Sequence, residues 1–227
     1  MSPIIFDINP EISIILCTYN RAHYLNKCID SVLNQTFTSW ELVIVDDGSM
    51  DNTFEIVNPY LEKYNNIRYF KHQNRKLALA KNVGIQASFG KYITFIDSDD
   101  SYEPGHLSSR LDYMKNHPDI DLIQGGFFCE EEIFVADYFQ PGKTINLREC
   151  VLGPTFFGKR RVFFELQGFH NIPYAEDTNF WERVEKIQTL KTAKLTSPET
   201  YNYTRAETSI TKNFLEQITE TNNNLPQ

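Results

Sequence analysis

The chain has 227 residues, 41% of them hydrophobic and 14% aromatic, and a formal net charge of −8. This composition is typical of one globular domain with a sizeable core. The acidic balance disfavours a nucleic-acid partner, because a bare polyanion needs a basic face. No apolar run approaches the roughly 18 residues that span a bilayer. Residues 1–11 also lack the basic start and apolar stretch of a signal peptide.

The four cysteines, Cys17, Cys28, Cys129 and Cys150, form no C-x-x-C pair and have no histidine at zinc-knuckle spacing. We expect them to be reduced, packed thiols and the protein to be soluble and cytoplasmic. Peripheral contact with the cytoplasmic face of a membrane stays open, because a lipid-linked substrate or a partner can hold a soluble chain there.

Strands and helices alternate through the first half of the chain. Short apolar, β-branched runs predict strands at 12–17, 41–45, 67–70, 92–96 and 121–124. Apolar residues at helical spacing predict helices at 25–33, 54–64, 76–88 and 107–114, and Pro59 is expected to bend or divide the second of them. Strands separated by helices indicate right-handed crossovers, so the predicted class is α/β with a mostly parallel central sheet flanked by helices.

The second half of the chain is less regular. Residues 125–151 carry mixed signals and predict an irregular wall or an antiparallel excursion. Apolar spacing from 180 to 187 predicts a further helix, and 192–195 and 201–203 predict strands. We find no linker, so we predict one domain over residues 1–212. Residues 213–227 form a polar tail that is expected to fray.

Three polar clusters directly follow predicted strands. They are Thr-Tyr-Asn-Arg at 18–21, Asp-Asp-Gly-Ser at 46–49 and Asp-Ser-Asp-Asp at 97–100. Ligands of open parallel sheets bind outside the carboxyl ends of the strands. We therefore expect the three clusters to line one crevice.

The turn after the first strand has no glycine-rich phosphate loop, since the first glycine of the chain is Gly48. This absence disfavours a dinucleotide dehydrogenase and a P-loop NTPase. The diphosphate of a bound nucleotide would need another source of neutralising charge.

The carboxylates at 97–100 suit that task. They are hard oxygen ligands that favour Mg²⁺ or Mn²⁺, and such an ion stabilises a departing diphosphate. As an alternative, Asp100 followed by Glu103 and Pro104 resembles the capping box of a helix start. A cap does not explain three carboxylates in four residues, so we favour the metal.

The cluster at 46–49 has two interpretations that the sequence leaves open. It is either an ordinary turn that opens a helix or a site of nucleobase recognition. In the second case Asp47 would accept the N3–H of uracil or thymine, or the N1–H of guanine, but would meet an acceptor at N3 of cytosine. Tyr19 would either flank the base or pack in the fold.

Several segments, in their order and spacing, resemble glycosyltransferase family 2, whose members have the GT-A fold. The matching segments are 13–20, 31–36, 41–49, 80–85, 90–100, 168–169, 176–177 and 180–183, within a region from about 12 to 205. The resemblance implies a hexosyltransferase-type enzyme that uses Mn²⁺ or Mg²⁺ and inverts the anomeric centre by single displacement. The implied donor is a nucleotide-diphosphate sugar, with UDP favoured. The implied acceptor is a carbohydrate or lipid-linked saccharide, in bacterial polysaccharide or glycoconjugate synthesis.

The resemblance also implies roles for individual residues. Asp177 matches the general base that takes the proton of the acceptor hydroxyl, although by itself Glu176-Asp177 is more typical of the carboxylates at a helix N-terminus. Asp100 matches the principal metal ligand, with Asp99 and Asp97 beside it. Nucleotide contacts are implied for Cys17, Thr18, Tyr19, Asn20, Asp47, Lys81, Asp99 and Arg205.

Two departures from the family pattern stand out. Lys81 occupies a position that is often arginine, and Glu207 occupies one that is often histidine.

Two other functions stay open, a sugar nucleotidyltransferase and a non-catalytic sugar-nucleotide binder. The basic run at 159–161 has two interpretations that stay open: it contacts an anionic acceptor, or it is a solvated turn.

Overall fold

A computed structural model of the chain describes residues 9–206 and 209, and its first half alternates strands and helices as predicted. In chain order the elements are β1 (Ile12–Thr18), α1 (Ala22–Leu33), β2 (Trp40–Asp46), α2 (Thr53–Lys63), β3 (Ile67–Lys71), α3 (Leu77–Ala87) and β4 (Tyr92–Asp97). Helix α2 continues through Pro59 and is not divided there.

The second half contains shorter elements. They are β5 (Ser101–Tyr102), α4 (His106–Asn116), β6 (Leu122–Gly125), β7 (Phe127–Phe128), β8 (Phe134–Ala136), β9 (Thr144–Asn146), β10 (Phe157–Lys159), α5 (Arg160–Glu165), α6 (Glu176–Glu185), β11 (Thr192–Leu195) and β12 (Tyr201–Asn202). Short 3₁₀ turns lie at Leu147–Glu149 and Gly153–Thr155. The predicted tail at 213–227 lies outside the described residues.

Seven strands form the central sheet in the order β11-β6-β10-β4-β1-β2-β3. Strand β1 pairs in parallel with both β2 and β4, and β3 and β11 are also parallel to their neighbours. The predicted mostly parallel sheet is therefore confirmed. Strand β10 is the exception, because it runs antiparallel between β4 and β6. The sequence pattern missed it because three residues are too short to show a period.

Alternate residues of β1 pack into two different layers, since successive side chains of a strand point to opposite faces. Ile14 and Leu16 join the layer under α1, α2 and α4. Ile15 joins the layer under α3, α5 and α6, which includes the rings of Phe95 and Phe180. Burial on both faces explains why the strands read as continuous apolar runs. It also places the carboxyl ends of β1, β2 and β4 side by side at one edge.

Helix α4 begins at His106, with Gly105 preceding it. The capping box considered for Asp100 is therefore not formed. Both carboxylate oxygens of Asp100 instead accept hydrogen bonds from the C-terminal segment, from the Tyr201 hydroxyl and the Thr204 backbone N–H.

Candidate active site

A cavity of about 850 Å³ opens at the carboxyl ends of β1, β2 and β4. All three polar clusters reach its wall, as expected for a ligand site in a parallel sheet. The wall carries most of the predicted site residues, namely Cys17, Thr18, Tyr19, Asn20, Asp47, Lys81, Asp97, Asp99, Asp100 and Asp177. Arg205 is not on this wall, and its Nε is buried without a hydrogen-bond partner among the described residues. Glu207 lies outside those residues.

The loop after β2 contains both a turn and a carboxylate that faces the cavity, the two interpretations that the sequence left open for residues 46–49. Asp46 forms the turn, because its carboxylate accepts hydrogen bonds from the Ser49 backbone N–H and the Tyr69 hydroxyl. Asp47 lines the cavity, and its two oxygens accept the backbone N–H groups of Arg75 and Lys76 at 2.7 and 2.9 Å. Each oxygen keeps a lone pair for a ligand donor.

Residues after β1 complete this end of the cavity. The hydroxyl of Thr18 is buried and has no hydrogen-bond partner within the described residues. Tyr19 is 47% exposed, which leaves its ring available to a ligand. Asn20 joins two loops, since its backbone N–H donates to the Ser49 hydroxyl and its side chain accepts the Met50 N–H.

Carboxylates crowd together at the end of β4. Burial raises the pKa of Asp97 to about 6, with the Lys81 ammonium opposing this and Asp99 adding to it. Burial and the charges of Asp97 and Asp99 raise the pKa of Asp100 well above its ordinary value. Asp99 pairs with Arg21 at 2.6 Å. This crowding is unfavourable without further positive charge.

The donor set fits a divalent cation in its chemistry. Mg²⁺ and Mn²⁺ are held by one or two protein carboxylates and complete their shell with phosphate oxygens and water. Asp97, Asp99 and Asp100 offer hard oxygen atoms on the cavity wall. Within residues 9–206 and 209, no three His, Cys, Asp or Glu side chains form a metal site by themselves.

Asp177 lies in the first turn of α6 and lines the same cavity as the strand-end loops. Its oxygens accept the backbone N–H groups of Gly153 at 2.9 Å and Thr178 at 2.7 Å. Burial and the neighbouring Glu176 raise the pKa of Asp177 to about 6, while the charge of Lys81 lowers it. The group is therefore a carboxylate at neutral pH and a stronger base than an ordinary aspartate.

Lys81 lines the cavity and forms an ion pair with a carboxylate there. Its Nζ lies 2.8 Å from Glu176 Oε1 and 5.1 Å from the centre of the Phe169 ring. Burial lowers the pKa of Lys81, but the charges of Glu176, Asp97 and Asp177 outweigh this and raise it. The ammonium thus stays charged inside a group of acidic side chains.

Sequence reasoning missed two contributors to this site. Gly153 gave no signal, although an added Cβ there would stand 2.8 Å from Asp177 Cβ. Arg21 was noted only as part of a cluster, although it neutralises Asp99. The basic run at 159–161 does not line the cavity. Its Lys159 and Arg161 pair with Asp121.

Comparisons with known proteins show the family to which this chain belongs. The sequence profile described as "Glycosyl transferase family 2" matches residues 13–190. The chain belongs to glycosyl transferase family 2. An uncharacterized glycosyltransferase of Haemophilus influenzae is 32% identical over 186 residues, which cover 79% of this chain and 74% of that protein. The glycosyltransferase GlyA of Streptococcus pneumoniae is 30% identical over 165 residues, which cover 73% of this chain and 22% of that protein.

Solved structures show that the glycosyltransferase has the GT-A fold. Residues 1–349 of S. aureus TarS in complex with UDP-GlcNAc match with a TM-score of 0.72 and 20% identity, over 93% of this chain and 65% of that one. The mannosyltransferase PcManGT of Pyrobaculum calidifontis, in complex with GDP-Man and Mn²⁺, matches with a TM-score of 0.68 and 16% identity, over 89% and 59%. At these identities the likeness concerns the fold alone.

The glycosyltransferase domain corresponds to a part of several longer relatives, since it spans 22% of GlyA and 65% of the TarS fragment. None of the helices in the described part of the chain is long and apolar enough to cross a membrane. All four cysteines lie in that part and are free thiols.

Proposed function

We propose that this glycosyltransferase transfers a sugar from a nucleotide-diphosphate sugar, most readily a UDP-sugar, to an acceptor hydroxyl with inversion at the anomeric carbon. The observation that carries the proposal is the single cavity that gathers Asp47, the carboxylates of β4 and Asp177. The acceptor class is a carbohydrate or lipid-linked saccharide, and the expected setting is polysaccharide or glycoconjugate synthesis in the bacterial cytoplasm.

The nucleoside would lie at the ends of β1 and β2. Asp47 would accept the N3–H of uracil, and its anchoring by two backbone N–H groups keeps it in place for this contact. Tyr19 would flank the base, and the unpaired Thr18 hydroxyl would gain a partner. Cys17 and Asn20 would shape the same end of the site.

The diphosphate would lie beside the β4 carboxylates. Asp100, with Asp99 and Asp97, would hold a Mn²⁺ or Mg²⁺ ion there. When bound, this ion supplies positive charge against the negative charge of the departing diphosphate. Arg21 would keep Asp99 in position through their ion pair. Arg205 remains a candidate for a phosphate contact.

Asp177 would act as the general base. Each of its oxygens accepts one backbone N–H, so a lone pair remains on each for the acceptor proton. As the acceptor oxygen bonds to C1 of the sugar, its proton passes to Asp177 and the bond from C1 to the diphosphate oxygen breaks on the opposite face. One bond forms and one breaks, and attack on the face opposite the leaving diphosphate would invert the configuration at C1.

The test is turnover of UDP-sugars with and without Mn²⁺, comparing the wild type with Asp177→Asn. We expect the variant to keep UDP affinity and to lose about 10²–10⁴-fold in kcat, the contribution of a general base. Glu182→Gln is the matched control, because Glu182 is on the same helix and lines the same cavity. It should retain kcat within a few-fold.

Other outcomes would reject the proposal. Turnover that requires pyrophosphate would indicate a nucleotidyltransferase. UDP-sugar binding without turnover, across a broad acceptor panel, would indicate a binding module. A product with an axial glycosidic bond, formed from a donor whose sugar–phosphate bond is axial, would refute inversion.

A further inference from the structure

The hairpin of β8 and β9 forms part of the cavity wall. It is distant in sequence from the strand-end loops. Among the residues that the structure describes, its two strands pair only with each other, in a small antiparallel sheet separate from the central one. Two aromatic residues at its tip, Tyr138 and Phe139, line the cavity. We call this pair the aromatic tip.

The aromatic tip is held in a defined conformation. One carboxylate oxygen of Asp137 accepts the backbone N–H groups of Phe139 and Gln140, and the Asp137 N–H donates to the Lys143 carbonyl. The rings of Tyr138 and Phe139 meet edge to face, with centroids 5.1 Å apart. Phe139 is nevertheless 65% exposed. An exposed aromatic ring is available to a ligand, and covering it would remove apolar surface from water.

Tyr174, in the segment just before α6, connects this hairpin to the helix that carries Asp177. Its hydroxyl donates to the Ala136 carbonyl at 2.9 Å, at the end of β8. Tyr174, Asp177 and the aromatic tip all line the same cavity.

The part of the cavity wall contributed by residues 135–154 suits a neutral sugar. Its apolar side chains are Ile145, Leu147, Val151, Leu152 and Pro154, among others. The charged side chains that this segment contributes to the wall are two acids, Asp137 and Glu149. Two acids disfavour an anionic ligand. A pyranose has an apolar C–H face that packs on the negative face of an aromatic ring, and hydroxyls that bond to polar groups at the rim.

We propose that the aromatic tip is the acceptor platform, on which the terminal neutral sugar of a saccharide stacks while its hydroxyl points to Asp177. This inference rests on the proposed function, because the donor would fill the end of the cavity at β1, β2 and β4. Stacking of the acceptor sugar would cover the exposed ring of Phe139.

Alanine substitution of the aromatic tip tests this platform, with Phe134→Ala as the matched control. Phe134 is an exposed aromatic on the same hairpin, 46% accessible, and does not line the cavity. The probes are UDP-glucose, UDP-galactose and UDP-GlcNAc as donors, with Mn²⁺, and p-nitrophenyl glycosides of neutral mono- and disaccharides as acceptors. Hydrolysis of each donor without acceptor and the Kd for UDP are measured in parallel.

We expect Phe139→Ala and Tyr138→Ala each to raise the acceptor KM about tenfold, equivalent to about 1.4 kcal/mol. Donor hydrolysis and the Kd for UDP should change less than twofold, and Phe134→Ala should match the wild type throughout. An unfolded variant would be revealed by loss of UDP binding, and the more conservative Phe139→Leu, which keeps apolar volume without the ring, should then show the same KM defect.

Three results would overturn the inference. One is an unchanged acceptor KM in both alanine variants. Another is a wild type that hydrolyses a donor but neither uses nor binds any of the neutral glycosides. The third is sedimentation with vesicles of phosphatidylglycerol and phosphatidylethanolamine that depends on Phe139 while the acceptor KM does not, which would assign the tip to a membrane. A wild type that binds no UDP would instead refute the proposed function itself.

Discussion

Replacing Lys81 by methionine would leave Glu176 as an unpaired charge in a buried site. The Lys81 side chain is only 3% exposed and the Glu176 side chain 15% exposed, with their charged atoms 2.8 Å apart. Removing one partner of a buried ion pair costs about 3–5 kcal/mol of the free energy of unfolding. For a chain of this size each kcal/mol lowers Tm by roughly 2–4 °C, so we expect a fall of roughly 6–20 °C.

The same substitution should shift the pH dependence of activity. Lys81 lowers the pKa of Asp177, which burial and Glu176 together raise to about 6. Without the ammonium this pKa rises further. A general base must be deprotonated, so activity is lost as pH falls through its pKa. The acidic limb of kcat/KM, measured from pH 5 to pH 9, should therefore move to higher pH in Lys81→Met.

The double variant Lys81→Met/Glu176→Gln separates the charge effect from loss of packing. It removes both charges at similar volume, and such replacements are often close to neutral in stability. We expect it to recover most of the Tm that the single variant loses, measured by thermal denaturation at pH 7.5. A single-variant loss below about 1 kcal/mol, the scale of an exposed pair, would refute the reasoning. So would a double variant no more stable than the single one.

Three further predictions concern other parts of the site. Gly153→Ala places a methyl group 2.8 Å from Asp177 Cβ. We expect the kcat of this variant to fall at least tenfold while its affinity for UDP is unchanged. A kcat equal to that of the wild type would contradict the role of this close contact. Asp47→Ala removes the acceptor of the backbone N–H groups of Arg75 and Lys76. We expect it to raise the Kd for UDP, measured by calorimetry, by one to two orders of magnitude, because a hydrogen bond to a charged group contributes ~1.5–3 kcal/mol. Mn²⁺ should increase the thermal shift produced by UDP in the wild type but not in Asp100→Asn, since ligands of the native state raise Tm; an equal increase in both would argue against metal binding at Asp100.

Much of the fold could be predicted because its signals are local. Each strand of the first half is a short β-branched run, and each helix shows its own apolar spacing. The convergence of three polar clusters also followed, because parallel strands all end at the same edge. The family could be recognised from short segments in order, and its profile match confirms that resemblance.

Other features could not be predicted because no local pattern encodes them. Strand β10 is three residues long and inserts antiparallel into the sheet. The hairpin of β8 and β9 falls in a stretch with no clear helix or strand pattern, so its position beside the cavity could not be predicted.

The amino-acid sequence by itself determined the α/β alternation, the edge at which ligands would bind and the acidic character of that edge. Only the tertiary structure decided which groups meet there. Lys81 pairs with Glu176 across 95 positions of the chain, and the Gly153 N–H reaches Asp177 across 24. Periodicity reports on neighbours within a few residues, whereas these partners are chosen by how helices and turns pack across the sheet, and that packing sets the pKa of Asp177.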